Sequence, residues 1–304
     1  MTVTVRVPAK VNVQLGVGGL RADGFHDLAN VFFAVALGDE VTAEPGEGVT
    51  LTCTGPDAAS VPLDDSNLAA RAARLLAAHH GVTPNVRLHI AKAIPVAGGM
   101  AGGSADGAAA LVACDALWGL DTPFETLLEL AAELGSDVPF ALVGGVALGR
   151  GRGEILEPLP VAGTFHWVFA VADGGLSTPA VFRECDRLRE EAGTGSSDAD
   201  VPTPDADPAL LAALADGDPV ALAAALTNDL QAPAISLRPA LAETLRAGTE
   251  AGAIGALVSG SGPTCAFLAK DAEAAAAIAK SLEESGTCRA AHATYGPAPG
   301  ARVS

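Results

Sequence analysis

Aromatic residues are only 4% of this 304-residue chain, although 49% of it is hydrophobic and the mean hydropathy is +0.34. With so few rings, Ala, Val and Leu must fill the core, and small side chains fill space only when the elements pack closely. Basic residues are scarce too: 18 Lys and Arg against 36 Asp and Glu give a net charge of −18. Neutralising a nucleic-acid backbone takes clustered cations, so no nucleic-acid partner is expected, and any phosphate site must be local and rich in backbone donors. Paired cysteines are missing. Cys53, Cys114, Cys185, Cys265 and Cys288 stand singly and in odd number, without the spacing of zinc or redox motifs, and are expected to be reduced thiols. Long apolar runs are also missing, and the N-terminus, MTVTVRVPAK, alternates like a strand where a leader would place a charged region before an apolar run. No membrane partner is expected, and the expected location is the cytoplasm.

A length near twice that of a usual domain suggests one large domain or two sharing a cleft. The opening is β-rich: Val3 to Val7 and Val11 to Val17 read as strands broken at Pro8, followed by Asn30 to Ala36, Asp39 to Ala43 and Val49 to Cys53. Helices are predicted over Leu68 to His80, Ala105 to Leu117, Thr122 to Leu134, Pro239 to Ala251 and Ala272 to Ser285. Further strands are predicted over Val86 to Ile90, Val143 to Leu148, His166 to Ala172, Ala256 to Ser259 and Thr264 to Ala269. The class is α+β, with halves at 1–155 and 156–304. Glu191 to Pro208, acidic and rich in Pro, Ser and Gly, reads as a solvated loop.

Chemistry concentrates at Pro95 to Leu111, PVAGGMAGGSADGAAAL, where Gly98, Gly99, Gly102, Gly103 and Ser104 precede a helix of small residues. Unpaired N–H groups at a helix start attract anions, and glycines let a phosphate approach the backbone. The segment is not a P-loop, since Gly-x4-Gly-Lys-Ser/Thr is absent; Met100 breaks the dinucleotide fingerprint Gly-x-Gly-x-x-Gly. With the β-rich start, that argues against a dinucleotide oxidoreductase.

This loop resembles the phosphate loop of the GHMP kinases, the superfamily of galacto-, homoserine, mevalonate and phosphomevalonate kinases. Two further signatures of that superfamily stand in order: Pro8-Ala9-Lys10-Val11-Asn12 after an N-terminal strand, and Val258-Ser259-Gly260-Ser261-Gly262-Pro263-Thr264. Arg21-Ala22-Asp23-Gly24-Phe25-His26-Asp27-Leu28 and Leu134-Gly135-Ser136-Asp137-Val138-Pro139-Phe140 narrow the resemblance to the branch that phosphorylates a cytidine-diphosphate-linked sugar alcohol. It covers residues 5 to 270. It implies a two-domain GHMP kinase fold with the site in the interdomain cleft, ATP and Mg²⁺ as cofactors, a small-molecule partner, and a monomer or homodimer.

Residue by residue, the resemblance gives Asp137 the role of base toward the acceptor hydroxyl and Lys10 that of its partner, holding the carboxylate ionised and adding positive charge near the transferring group. Asn12 orients the same polar cluster. Phe25 would stack on cytosine and His26 bond its edge, with Phe182 as the second face of the sandwich; the family commonly has Tyr in place of Phe25, so the ring can still stack but offers no hydroxyl to the base. ATP is expected on Pro95, Val96, Ala97, Gly98, Gly99, Met100, Ala101, Gly102, Gly103, Ser104 and Ala105, with Asn67 and Lys92 against adenosine. Gly260, Ser261 and Gly262 would close over the acceptor. No acidic residue matches a dedicated metal ligand, so Mg²⁺ is expected on the nucleotide phosphates, with Ser104 as a candidate contact. Ala97 and Ala101 replace the family's usual glycines, so positive φ is disfavoured there and the remaining glycines should shape the loop. Gly107 should cost its helix about 1 kcal/mol. Another GHMP kinase, of mevalonate or homoserine type, and a non-catalytic GHMP-fold binding protein are the alternatives.

Overall fold

The computed structural model describes residues 1–96 and 98–304. Val at 3, 5, 7, 11, 13 and 17, alternating in part with Thr, Arg, Asn and Gln, makes one long strand, β1 (Val3–Leu20), where two were expected. Its antiparallel partner β2 (His26–Pro45) is likewise continuous. Proline lacks a ladder donor, and the chain absorbs Pro8 with a register shift between Pro8 and Ala9, with further shifts between Asn12 and Gln14 and between Val17 and Leu20. Such bulges bend a strand and re-aim its side chains, which here turns the Lys10–Asn12 stretch toward the glycine loop.

The first sheet is completed by β3 (Val49–Thr54), β4 (Val86–Ala91), β5 (Val146–Arg150) and β6 (Ile155–Pro158), in the order β1-β2-β4-β3, with β5 beside β2 and β6 beside β5. The second sheet contains β7 (Phe165–Val171), β9 (Gly255–Val258), β10 (Cys265–Ala269) and β11 (Ala290–Gly296), ordered β11-β7-β10-β9 and antiparallel throughout. The short β8 (Thr227–Asn228) and β12 (Arg302–Val303) return to β1, so the later chain also edges the first sheet. Phe33 of β2 meets Phe165 edge-on at 5.7 Å and Trp167 at 5.8 Å, so aromatic rings join the two sheets at their seam.

Helix α1 (Leu68–His80) starts at Asn67, whose Oδ1 accepts from Ala69 N at 2.8 Å, and stops at Gly81, left-handed at φ 66°. Helix α2 (Gly102–Trp118) buries Ala105, Ala108, Ala109, Ala110 and Ala113 against β1 and β2. A Cβ on Gly107 would come within 3.2 Å of Leu68 Cβ, so the glycine that costs helix propensity permits the close α1–α2 crossing. Next come α3 (Phe124–Leu134) and α4 (Val138–Val143), so Val143 ends a helix where a strand was predicted to begin. The sequence reading also left out α5 (Thr178–Glu191), α6 (Pro208–Asp216), α7 (Pro219–Ala225) and α8 (Gln231–Leu237), ahead of the expected α9 (Ala240–Glu250) and α10 (Ala272–Ser285).

The acidic segment after α5 is attached to the first sheet, contrary to its reading as a solvated loop. Leu20 N donates to Ser196 O at 2.7 Å, Gln14 Nε2 to Asp205 O at 2.8 Å, and Pro204 sits so close to Gly16 and Gly18 that a Cβ on either would meet it at 2.9 and 3.2 Å. The glycines of β1 make room for this strap.

Candidate active site

A cleft of ≈ 950 Å³ opens where β1, the glycine loop, α4, α5 and the turn after β9 converge. On its floor Lys10 is buried, and Nζ donates to Asn12 Oδ1 at 2.6 Å and to Gly99 O at 2.9 Å. Asn12 is fixed in turn, its Nδ2 donating to Asn30 Oδ1 at 2.6 Å. Two of the three ammonium hydrogens are thus committed, and Asp137 Oδ2 lies 3.9 Å from Nζ, across a gap longer than a hydrogen bond. Asp137 occupies the N-cap position of α4, yet its side chain makes no cap bond and stays 35% exposed. Burial pushes the Lys10 ammonium below the ordinary lysine value, and the Asp137 charge opposes that shift.

The loop is drawn onto this pair. Gly99, at φ 76°, turns its carbonyl to Lys10 Nζ and to Ser259 Oγ, the latter at 3.2 Å. Gly260, at φ 56°, approaches from the other side: a Cβ there would sit 3.0 Å from Asn12 Oδ1 and 3.3 Å from Lys10 Nζ. Asn228 Nδ2 holds that turn by donating to Val258 O and Gly260 O, and Ser261 shares a 2.8 Å hydroxyl bond with Thr178 at the start of α5. Lys10, Asn12, the glycine loop, Asp137 and the Gly260–Gly262 turn therefore come together.

Ala101 corrects an expectation. It adopts the left-handed conformation, φ 59° and ψ 31°, and serves as the uncapped N-terminal residue of α2. Positive φ costs an L-residue about 1–2 kcal/mol, yet the loop must turn there for the N-terminal amides of α2 to face the cleft beside Gly102, Gly103 and Ser104. Gly98 also lines the cleft. Met100 and Ala105 are buried in the core below the loop, and Pro95 and Val96 lie on its approach, outside the cleft lining. Ala97 lies outside the described residues.

The two side chains assigned to adenosine are used elsewhere. Asn67 caps α1 and donates to Pro62 O at 2.7 Å. Lys92 is sealed in the interior against Asp39 Oδ2 at 2.5 Å and Asp106 Oδ2 at 2.7 Å, and neither residue lines the cleft. Asp39 Oδ1 accepts the amides of Ala93 at 2.6 Å and Ile94 at 2.8 Å, so the triad anchors the chain entering the loop to β2 and α2. Burial opposes the charge on Lys92, but Asp106 and Asp39 outweigh it and raise its pKa; burial pushes the Asp106 carboxyl up to about 7, against the pull of Lys92.

At the far arm of the cleft, His26 Nδ1 donates to Gly18 O at 2.9 Å, and its ring stacks on Phe182 at 5.3 Å and 23°. Phe25 is half-exposed, with the Arg152 guanidinium 5.1 Å from its ring centre. Phe182 thus packs on the imidazole, and it and Phe25, the two rings expected to sandwich cytosine, both line the cleft. Sequence reading missed Asn30, Thr178, Asp186 and Arg152. Asp186 carried one signal, lying one helical turn beyond Phe182 on the same face of α5; Arg152 lay between two predicted strands, with no motif to single it out. No group of three His, Cys, Asp or Glu side chains suited to a metal ion occurs among the described residues, and no helix there is long and apolar enough to cross a membrane.

A helix start open to anions, aimed at a lysine beside an accessible carboxylate in a cleft between two α+β halves, defines a small-molecule phosphotransferase. The GHMP kinases N terminal domain matches residues 67–145 and the GHMP kinases C terminal domain residues 210–288. A Streptomyces avermitilis protein named 4-diphosphocytidyl-2-C-methyl-D-erythritol kinase is 66% identical over 303 residues, covering 100% of both chains. A Thermobifida fusca protein of the same name is 62% identical over 311 residues, covering 99% of this chain and 98% of its own. Among solved structures, a 4-(cytidine 5'-diphospho)-2C-methyl-D-erythritol kinase superposes with a TM-score of 0.78 at 34% identity, covering 97% of this chain and 100% of that one. A homoserine kinase from Cytophaga hutchinsonii shares the fold, with a TM-score of 0.74 at 21% identity over 100% of this chain and 97% of that one. The chain belongs to the GHMP kinase family, in the branch of the 4-diphosphocytidyl-2-C-methyl-D-erythritol kinases.

Proposed function

We propose that the chain transfers the γ-phosphate of ATP to the 2-hydroxyl of 4-diphosphocytidyl-2-C-methyl-D-erythritol, giving ADP and the 2-phosphate, a step of non-mevalonate isoprenoid precursor synthesis in the cytoplasm. The observation that carries this reading is the meeting of Lys10, Asp137 and the Gly99 carbonyl on the floor of a cleft whose far arm is aromatic. The full-length relatives supply the identity of the acceptor.

In this reading the N-terminal amides of α2, with Gly102, Gly103 and Ser104, hold the ATP phosphates. Asp137 accepts the proton of the acceptor hydroxyl as its oxygen bonds to phosphorus and the bond to the ADP oxygen breaks. Lys10, held by Asn12 and Gly99 O, offers its remaining hydrogen toward the reacting oxygens and stabilises the charge spread over the phosphoryl group. His26, Phe25 and Phe182 take the cytidine end. Mg²⁺ would be carried on the nucleotide phosphates, with Ser104 as a candidate contact. We also divide the chain into functional halves at 1–155 and 156–304.

The test is a coupled ADP-release assay with Mg-ATP, comparing the cytidine-diphosphate methylerythritol with mevalonate and homoserine. Turnover with the cytidine acceptor alone is expected. Turnover with another acceptor would move the chain to a different GHMP specificity, and none with any would leave a binding protein.

A further inference from the structure

Asp186 has no role in the chemistry above, yet it lines the cleft one turn beyond Phe182 on α5. Its Oδ2 lies 3.4 Å from His26 Nε2. Its Oδ1 is shut from solvent and has no hydrogen-bond partner. His26 Nδ1 must carry a hydrogen to bond the Gly18 carbonyl, so a neutral imidazole turns the Nε2 lone pair toward Asp186. Nε2, Oδ1 and Oδ2 are then three acceptors without a donor. A second hydrogen on the imidazole would serve only one of the oxygens. Either way the Asp186 carboxylate keeps an acceptor that no protein hydrogen serves, and a buried acceptor left without one costs binding free energy.

We propose that Asp186 is a specificity-determining residue that, beside His26, accepts the exocyclic amine of the pyrimidine carried by the substrate; this deepens the function proposed above and rests on it. The 4-amino group of cytosine brings two N–H bonds to a carboxylate short of donors, and a carboxylate is a natural acceptor for that amine. Uracil presents a carbonyl oxygen at the same place, a further acceptor facing the carboxylate. Sites built to bond a substrate N–H reject analogues lacking it far more strongly than apolar pockets reject a missing methylene. Asp186 thus selects cytidine over uridine, while Phe182 and Phe25 offer stacking surfaces on which either base would fit.

The experiment compares kcat/KM for the cytidine- and uridine-diphosphate forms of the methylerythritol acceptor in wild type, Asp186→Asn and Asp186→Ser. The asparagine adds N–H donors that suit the uracil carbonyl, so the cytidine-to-uridine ratio is expected to fall at least tenfold, mostly through KM, with kcat on the cytidine form changing little. The serine variant, smaller than the native side chain, should lose preference in the same direction and keeps the question open to measurement if the asparagine variant folds poorly. A ratio that stays within twofold of wild type while both substrates weaken together would make Asp186 only a support for the His26 ring and overturn the proposal. Failure of wild type on both acceptors would instead overturn the proposed function, and this inference with it.

Discussion

Two buried lysines flank the glycine loop in opposite surroundings. Lys92 has two carboxylates within 2.7 Å and no place in the cleft; Lys10 has two neutral oxygens and a carboxylate held off at 3.9 Å. Lys92 is fully answered by its carboxylates, so its charge is spent on joining β2, β4 and α2. Lys10 is under-neutralised: burial presses on its charge while only one distant anion answers, which leaves that charge available to an incoming phosphate. Closeness to the loop does not set the two lysines apart; the number and distance of their counter-charges do.

The sharpest way to break this comparison acts on Asp137, the one anion shared between Lys10 and the cleft. Asp137→Asn keeps the shape and removes the proposed base, so kcat should fall by roughly 10²–10⁴-fold while the KM values for ATP and acceptor change little. Steady-state kinetics with both substrates varied is the measurement; an unchanged kcat would take Asp137 out of the mechanism and leave Lys10 with a structural role like that of Lys92. The mirror experiment is Lys92→Met, which strands two buried carboxylates and should cost about 3–5 kcal/mol in denaturant unfolding. Lys10→Met should cost far less stability but cut kcat. If the two variants exchanged these signatures, the division of labour between the lysines would be wrong.

How far this division could be read from the sequence depended on the range of the interactions. The glycine loop, Lys10, Asp137 and the Gly260–Gly262 turn carry local signatures, and all four meet in the cleft. Lys92 was misread because its partners, Asp39 and Asp106, lie 53 and 14 residues away, and nothing near position 92 announces them. The same distance hid the strap from Ser196 to Asp207, whose composition suggested solvent while the glycines that receive it lie far upstream in β1. Pro8 misled in the opposite sense: a local rule broke the strand on paper, and the sheet absorbed the residue in a register shift.

A smaller effect is expected within the Lys92 triad. Burial raises the Asp106 carboxyl to about 7, above the ordinary carboxylate value. A raised carboxyl holds its proton in the folded chain, so its contribution to stability is complete below the unfolded value, near 3.8, and is lost as pH rises through about 7. Asp106→Asn mimics the protonated form. Its Tm should match wild type near pH 4 and move ahead of it toward pH 8, as followed by calorimetry across that range. A gap that narrowed as pH rose would mean that the triad needs both negative charges.

The smallest effect lies in the loop between the lysines. Ala101 adopts φ 59° at a cost of about 1–2 kcal/mol, part of which glycine would give back to the unfolded chain as entropy. Ala101→Gly should therefore gain up to about 1 kcal/mol, seen as a Tm higher by about 2–4 °C. Gly99→Ala is the reverse case, since its Cβ would fall 2.2 Å from Ser259 O at φ 76°. That substitution should push the loop off Lys10 and raise KM for ATP. The two changes act two residues apart and in opposite directions, because at Ala101 only the backbone resists a side chain, whereas at Gly99 the Ser259 carbonyl of the opposite half resists it too.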